Sequence, residues 1–141
     1  MRRLFAILIA SGALMAVLPV AAAEARVSIT SFDIAPSCTT PGGTIDWSVE
    51  VRQDEWYKVD TVYSRVVVRT VGGTVVSQED DGPRYLFYGT YRQSGTKTIP
   101  ANAPTGDYTV TLYLGSTPGG SEWGSASRPL KVRPSQLLCS L

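Results

Sequence analysis

No histidine occurs anywhere in the chain, which removes the usual general base of serine and cysteine hydrolases and the commonest zinc ligand. Acid–base chemistry would fall to carboxylates. These gather in two stretches, Asp54, Glu55 and Asp60 in the first and Glu79, Asp80 and Asp81 in the second. Two carboxylates can hydrolyse a glycoside when a cleft holds them on either side of the bond, but loops on a domain this small offer little cleft. The run Glu79-Asp80-Asp81-Gly82 matches no defined calcium loop, which needs six to eight oxygens, and reads as a solvated turn. Gly42-Gly43, Gly72-Gly73 and Gly119-Gly120 lie between extended segments rather than opening helices, so none is a phosphate cradle. No catalytic residue, metal or cofactor is expected.

Aromatic side chains are the other chemically suggestive group. Residues 84–92, read as one strand, carry apolar side chains on both faces: Leu86 and Tyr88 on one, Tyr85, Phe87 and Tyr91 on the other. Only one face of a strand can meet the core of a two-layer domain. The other is either covered by a loop, the one with Trp56 and Tyr57 or the one with Trp123, or left open as a recognition surface. Tyr85, Phe87, Tyr91, Trp56, Tyr57 and Trp123 are therefore the candidate binding residues.

The elements that would position them follow from periodicity. Met1-Arg2-Arg3, an apolar stretch to Val20 and a small-residue ending through Ala23 and Ala25 have the layout of a secretory signal peptide at residues 1–25, cut before Arg26. A retained anchor is the alternative, but Ser11, Gly12 and Pro19 interrupt the run. Removing 25 of 141 residues leaves 116, the size of one domain. It also takes two of 13 basic and one of 12 acidic residues, leaving 11 of each and a net charge of zero. That balance argues against a nucleic-acid partner, and no membrane insertion is expected after cleavage. A secreted or cell-envelope location makes a Cys38–Cys139 disulfide the expected state, two free thiols being the alternative because Cys139 lies near the end of the chain.

Short alternating runs rich in Val, Thr, Ile and Tyr recur between Gly and Pro clusters, the pattern of an antiparallel all-β domain. Ile45, Trp47, Val49 and Val51 share one strand face, and Tyr108, Val110, Leu112 and Leu114 share another. A phase shift between Ile29 and Phe32 implies a bulge or a change of sheet. Gly72-Gly73 predicts a hairpin turn, 79–83 a charged loop, 95–99 a short strand and 116–127 the longest loop. Seven to eight strands at this spacing predict a Greek-key, immunoglobulin-like antiparallel β-sandwich over residues 26–134, with 135–141 a C-terminal tail tethered by the disulfide.

Three stretches, Ser31-Phe32-Asp33-Ile34-Ala35-Pro36, Thr40-Pro41-Gly42-Gly43-Thr44 and Ile99-Pro100-Ala101-Asn102-Ala103-Pro104-Thr105-Gly106-Asp107-Tyr108-Thr109-Val110, together resemble bacterial immunoglobulin-like domains of the CARDB type and the similar NEW3-type modules found beside glycosidase domains. The resemblance implies a β-sandwich and no catalytic residues, because such domains serve as spacers, adhesive units or accessory modules. Gly106 followed by Tyr108 at a strand start is independently the layout of a tyrosine corner. The expectation is a non-catalytic secreted module with a protein or carbohydrate partner; a small carboxylate-dependent polysaccharide hydrolase is the competing reading. Intact-mass measurement of exported protein is expected to give a chain beginning at Arg26.

Overall fold

The computed structural model describes residues 26–141, so the expected signal segment lies outside the described residues. Eight strands and one short helix follow in order: β1 (Val27–Ala35), β2 (Cys38–Thr39), β3 (Thr44–Gln53), β4 (Asp60–Thr70), β5 (Val75–Leu86), β6 (Gly89–Thr98), β7 (Gly106–Gly115), β8 (Gly124–Val132) and α1 (Gln136–Cys139). They form two sheets, β1-β3-β6 and β2-β8-β7-β4-β5. All pairings are antiparallel except the short β2–β8 contact. This is an immunoglobulin-like β-sandwich, as the alternation predicted.

The phase shift in the first strand has both of its possible meanings. The register slips between Ile29 and Ser31, and the chain then leaves β3 at Ala35 to join β8 in the opposite sheet as β2. Past the bulge Phe32 is buried, while Ile29 and Ile34 pack against the core from its margin. Trp47 also lies in the core, where its register partner is Gly95. A β-carbon on Gly95 would come within 2.8 Å of the indole, so the missing side chain is what admits the ring. Tyr108 is buried and its hydroxyl donates to the Pro104 carbonyl, completing the tyrosine corner. Burial raises its pKa above the ordinary phenol value.

Three boundaries differ from the expectation. The charged stretch 79–83 is no loop; it continues β5, paired with β4 across two register shifts. The single aromatic strand over 84–92 does not exist. Residues 87 and 88 instead turn the chain from β5 in one sheet to β6 in the other, and β6 runs unbroken through the segment expected to be a separate strand at 95–99. The last loop is also shorter, because β8 already begins at Gly124. In each case strand pairing overrode local polarity or aromatic content, as context does for β propensity.

Cys38 and Cys139 are bonded, their Cα atoms 5.5 Å apart, which fastens α1 to β2. The bridge closes a loop with a sequence separation of 101. Replacing both cysteines by serine is expected to lower the unfolding free energy by about 2–5 kcal/mol, read from urea titrations with the native circular dichroism retained in the absence of denaturant.

Candidate functional site

Strand registers gather distant loops at one end of the sandwich. Val27 and Gly89 both pair with Gln53, Asp60 pairs with Leu86, Tyr63 with Gly115 and Leu114 with Gly124. Arg26, the 54–59 loop, the turn at 87–88 and the 116–123 loop consequently sit together. The hairpin at 71–74 and the disulfide lie at the far end. In immunoglobulin variable domains it is the loops clustered at one end that recognise ligand.

A buried polar hub fixes this end. Asp60, the first residue of β4, is almost wholly buried. Its Oδ1 accepts from Arg26 Nε at 2.7 Å and lies 2.6 Å from Arg26 Nη2, while its Oδ2 accepts from Gln53 Nε2 at 3.0 Å. Gln53, itself buried at the end of β3, also donates from Nε2 to the Lys58 carbonyl and accepts the Glu55 backbone N–H through Oε1. Asp54 N–H donates to the Arg26 carbonyl, and Lys58 pairs with Glu55 at 2.8 Å. The bond to Asp60 raises the Arg26 pKa further above its ordinary value. The same guanidinium lies 5.3 Å from the centre of the Trp123 ring, which ties the 116–123 loop to the hub. Within that loop the Ser116 N–H donates to the Glu122 carboxylate, whose pKa the contacts from Ser116 lower.

On this frame the aromatic residues divide into two groups. Trp56 is 79 % exposed and meets Tyr57 edge to face at 5.7 Å, and Tyr57, Tyr85, Phe87 and Tyr88 are all well exposed. Tyr88, expected to share an inward face with Leu86, is turned outward by the turn, while Leu86 is buried. Tyr91 and Trp123 are structural in their packing. Both are half-buried against the core, and the Tyr91 hydroxyl accepts the Phe87 N–H at 3.1 Å. The sequence did not single out Tyr88, although its place next to Gly89, the residue that relieves the turn with φ +129°, was a usable signal.

Beside this end a groove of about 380 Å³ runs between the edges of the two sheets. Val51, Val62, Leu86 and Leu114 contribute its apolar lining together with Tyr91, and Arg84, Tyr85, Arg92, Gln93 and Ser94 line the remainder. Below it the two edges are stitched by Gln93 donating to Asp81 and by Lys97 donating to Glu79 at 3.2 Å.

The six candidate carboxylates are all engaged elsewhere. Asp54 pairs with Arg52 at 2.6 Å, Glu55 with Lys58, Asp60 with Arg26, Glu79 with Lys97, Asp80 with Arg65 at 2.6 Å and Asp81 with Arg84 at 2.8 Å. The guanidinium hydrogen bonds hold the Asp80 and Asp81 carboxyls below their usual range. A general acid needs the opposite shift. Among the described residues no three His, Cys, Asp or Glu side chains are grouped to hold a metal, and no helix is long and apolar enough to cross a membrane.

Known structures share the fold. The C-terminal domain of wzt superposes with a TM-score of 0.58 at 15% identity, covering 79% of this chain and 76% of that one. The Pseudomonas fluorescens alkylpurine DNA glycosylase AlkC, solved on DNA containing an abasic-site analogue, gives 0.60 at 15% identity, with 77% of this chain matching only 31% of the enzyme. A CARDB domain from Pyrococcus furiosus, solved with di-metal ions, gives 0.52 at 12% identity over 76% of this chain and 87% of that one. No family model and no curated protein matches the sequence. At these identities the likeness defines a class, the immunoglobulin-like β-sandwich module, and nothing narrower.

The hub predicts a contrast between two ion pairs of equal length. Arg26→Gln leaves the Asp60 carboxylate buried without its cation, whereas the Arg52–Asp54 pair is open to water on both sides. Thermal unfolding is expected to show a fall of several degrees for Arg26→Gln and of about 1 °C or less for Arg52→Gln.

Proposed function

We propose that this chain is a non-catalytic, extracytoplasmic binding module of the CARDB-like kind that holds a carbohydrate against the aromatic end of its sandwich. The observation that carries the reading is the exposure of Trp56 and Tyr57 on a loop braced by the buried hub, beside Phe87 and Tyr88 on a turn held by the Tyr91 hydroxyl. Large rings left in water on a rigid support are a recognition surface by default, and flat rings with polar tips suit the faces of sugar rings. Lys58, 5.3 Å from the Tyr57 ring centre, adds a donor at the rim. The disulfide is compatible with an oxidising compartment.

The hydrolase reading has no observation in its favour, since each carboxylate it would use is committed to a cation. Binding to peptidoglycan sacculi, cellulose and xylan tests the proposal. Trp56→Ala with Tyr57→Ala is expected to weaken retention on the bound glycan by about tenfold or more, as loss of stacked aromatic anchors does at hot spots, with the melting temperature unchanged. Retention that survives replacement of Trp56, Tyr57, Phe87 and Tyr88 together, or no retention by any of the three glycans, would overturn it. So would glycan turnover abolished by Asp54→Asn, Asp80→Asn and Asp81→Asn.

A further inference from the structure

The four outer edges of the two sheets are not equally protected. β1 carries a bulge after Ile29 and is followed by Pro36. β8 contains Pro129 and is flanked by β2, to which the disulfide binds α1. β5 contains Pro83, two register shifts against β4 and the charges Glu79, Asp80, Asp81 and Arg84. These are the devices by which natural sheets blunt an edge.

β6 has almost none of them. Ten residues, Gly89–Thr98, pair with β3 without a register shift, and the strand contains no proline. Its one inward charge, Lys97, is neutralised by Glu79 from β5. Every second N–H and C=O along the outer side of an edge strand lacks a sheet partner. The apolar groove runs along this same strand, using Tyr91, Arg92, Gln93 and Ser94 as one wall. An open edge offers main-chain hydrogen bonds, and an adjoining pocket offers places for alternate side chains; the two together are the requirements of strand addition.

We propose that the side of the sandwich between β5 and β6 receives an extended polypeptide strand from a partner protein, which pairs with the free edge of β6 and sinks alternate apolar side chains into the groove. Charge narrows the partner. Arg84 and Arg92 are the charged residues of the lining; Arg84 is held by Asp81 at 2.8 Å, whereas Arg92 is 74 % exposed and its Glu50 contact is longer, at 3.3 Å, which leaves Arg92 the more available cation. A strand with apolar residues at alternate positions and an acidic residue beside them meets both demands. A second copy of this chain meets neither. Its β6 would bring a second Arg92 toward the exposed Arg92, and Gln93, Gly95 and Lys97 toward an apolar floor. This surface adjoins the aromatic end through Tyr85 and Tyr91 but contains none of Trp56, Tyr57, Phe87 and Tyr88, so replacing those four tests the carbohydrate reading without altering the lining of the groove.

The test selects ligands for the whole mature chain from a displayed library of random dodecapeptides and then measures amide hydrogen exchange with a selected peptide bound. Selected sequences are expected to alternate apolar and polar residues with an acidic residue among them, and to protect amides within residues 89–98. Arg92→Glu is expected to weaken such a peptide by about tenfold, as reversal of an interface charge does, without moving the melting temperature. Replacing the peptide's acidic residue by lysine should restore binding to that variant. No selected peptide, protection confined to 54–59 and 87–88, indifference to Arg92→Glu, or protection of 89–98 that rises with protein concentration before peptide is added would each overturn the proposal, the last by showing that a second copy occupies the edge.

Discussion

The carboxylate of Asp60 sits at the meeting point of three strand ends, and the geometry of the whole aromatic end depends on how its charge is kept out of water. Arg26 neutralises it from the start of β1, and Gln53 satisfies its other oxygen from the end of β3. Gln53 then uses its remaining capacity on the backbone of the 54–59 loop, at Lys58 and Glu55. One desolvated charge thereby dictates the path of a loop that has no regular structure of its own. A partly satisfied version of this network would be worse than an apolar one, so the loop conformation and the ion pair stand or fall together. Trp56 and Tyr57 inherit that rigidity, which lets two large rings stand in solvent without collapsing onto the core.

The fold was legible because burial imposes a period of two on a strand and the sequence obeys it wherever one face is covered. Ile45 to Val51 and Tyr108 to Leu114 show it cleanly, and the tyrosine corner and the disulfide followed from spacing and composition. The failures lie where that signal is silent. β5 is an edge strand whose side chains are mostly in water, so Glu79, Asp80 and Asp81 looked like a loop although the backbone is fully paired with β4. Phe87 and Tyr88 looked like strand residues because aromatic side chains favour strands, yet they form the turn that carries the chain between sheets.

The candidate site was legible only in part, for a related reason. The sequence singled out six of the seven exposed or half-buried aromatics at this end, missing Tyr88, but which of them face solvent is a tertiary property. Trp123 is claimed by Arg26 and Tyr91 by the Phe87 amide, and neither partner lies near it in a way periodicity reveals. The hub was invisible to the sequence, where Asp60 was simply one of three acidic residues and Gln53 one polar residue among several. Similar sandwiches found in proteins as different as a DNA glycosylase and a CARDB domain make the same point about the fold: it supplies the frame, and loops and edges supply the task.

The position of the disulfide sets how the domain would respond to being pulled. Tension applied between Arg26 and residues beyond Cys139 travels along β1, through residues 36 and 37 to Cys38, and then crosses directly to Cys139. Everything between those two cysteines is covalently bypassed. The pairing of β1 with β3, the Arg26–Asp60 ion pair and the Ser37 carbonyl that accepts the Lys131 N–H lie in the load path, and the most the chain can lengthen is set by the dozen or so residues before Cys38 at about 3.3–3.6 Å each. The bypass spares β3 to β8 from direct load, but stripping β1 away would draw Arg26 off Asp60 and so release the aromatic loop braced by that pair. As a mechanical element the domain is therefore a short tether joined to a nearly inextensible body.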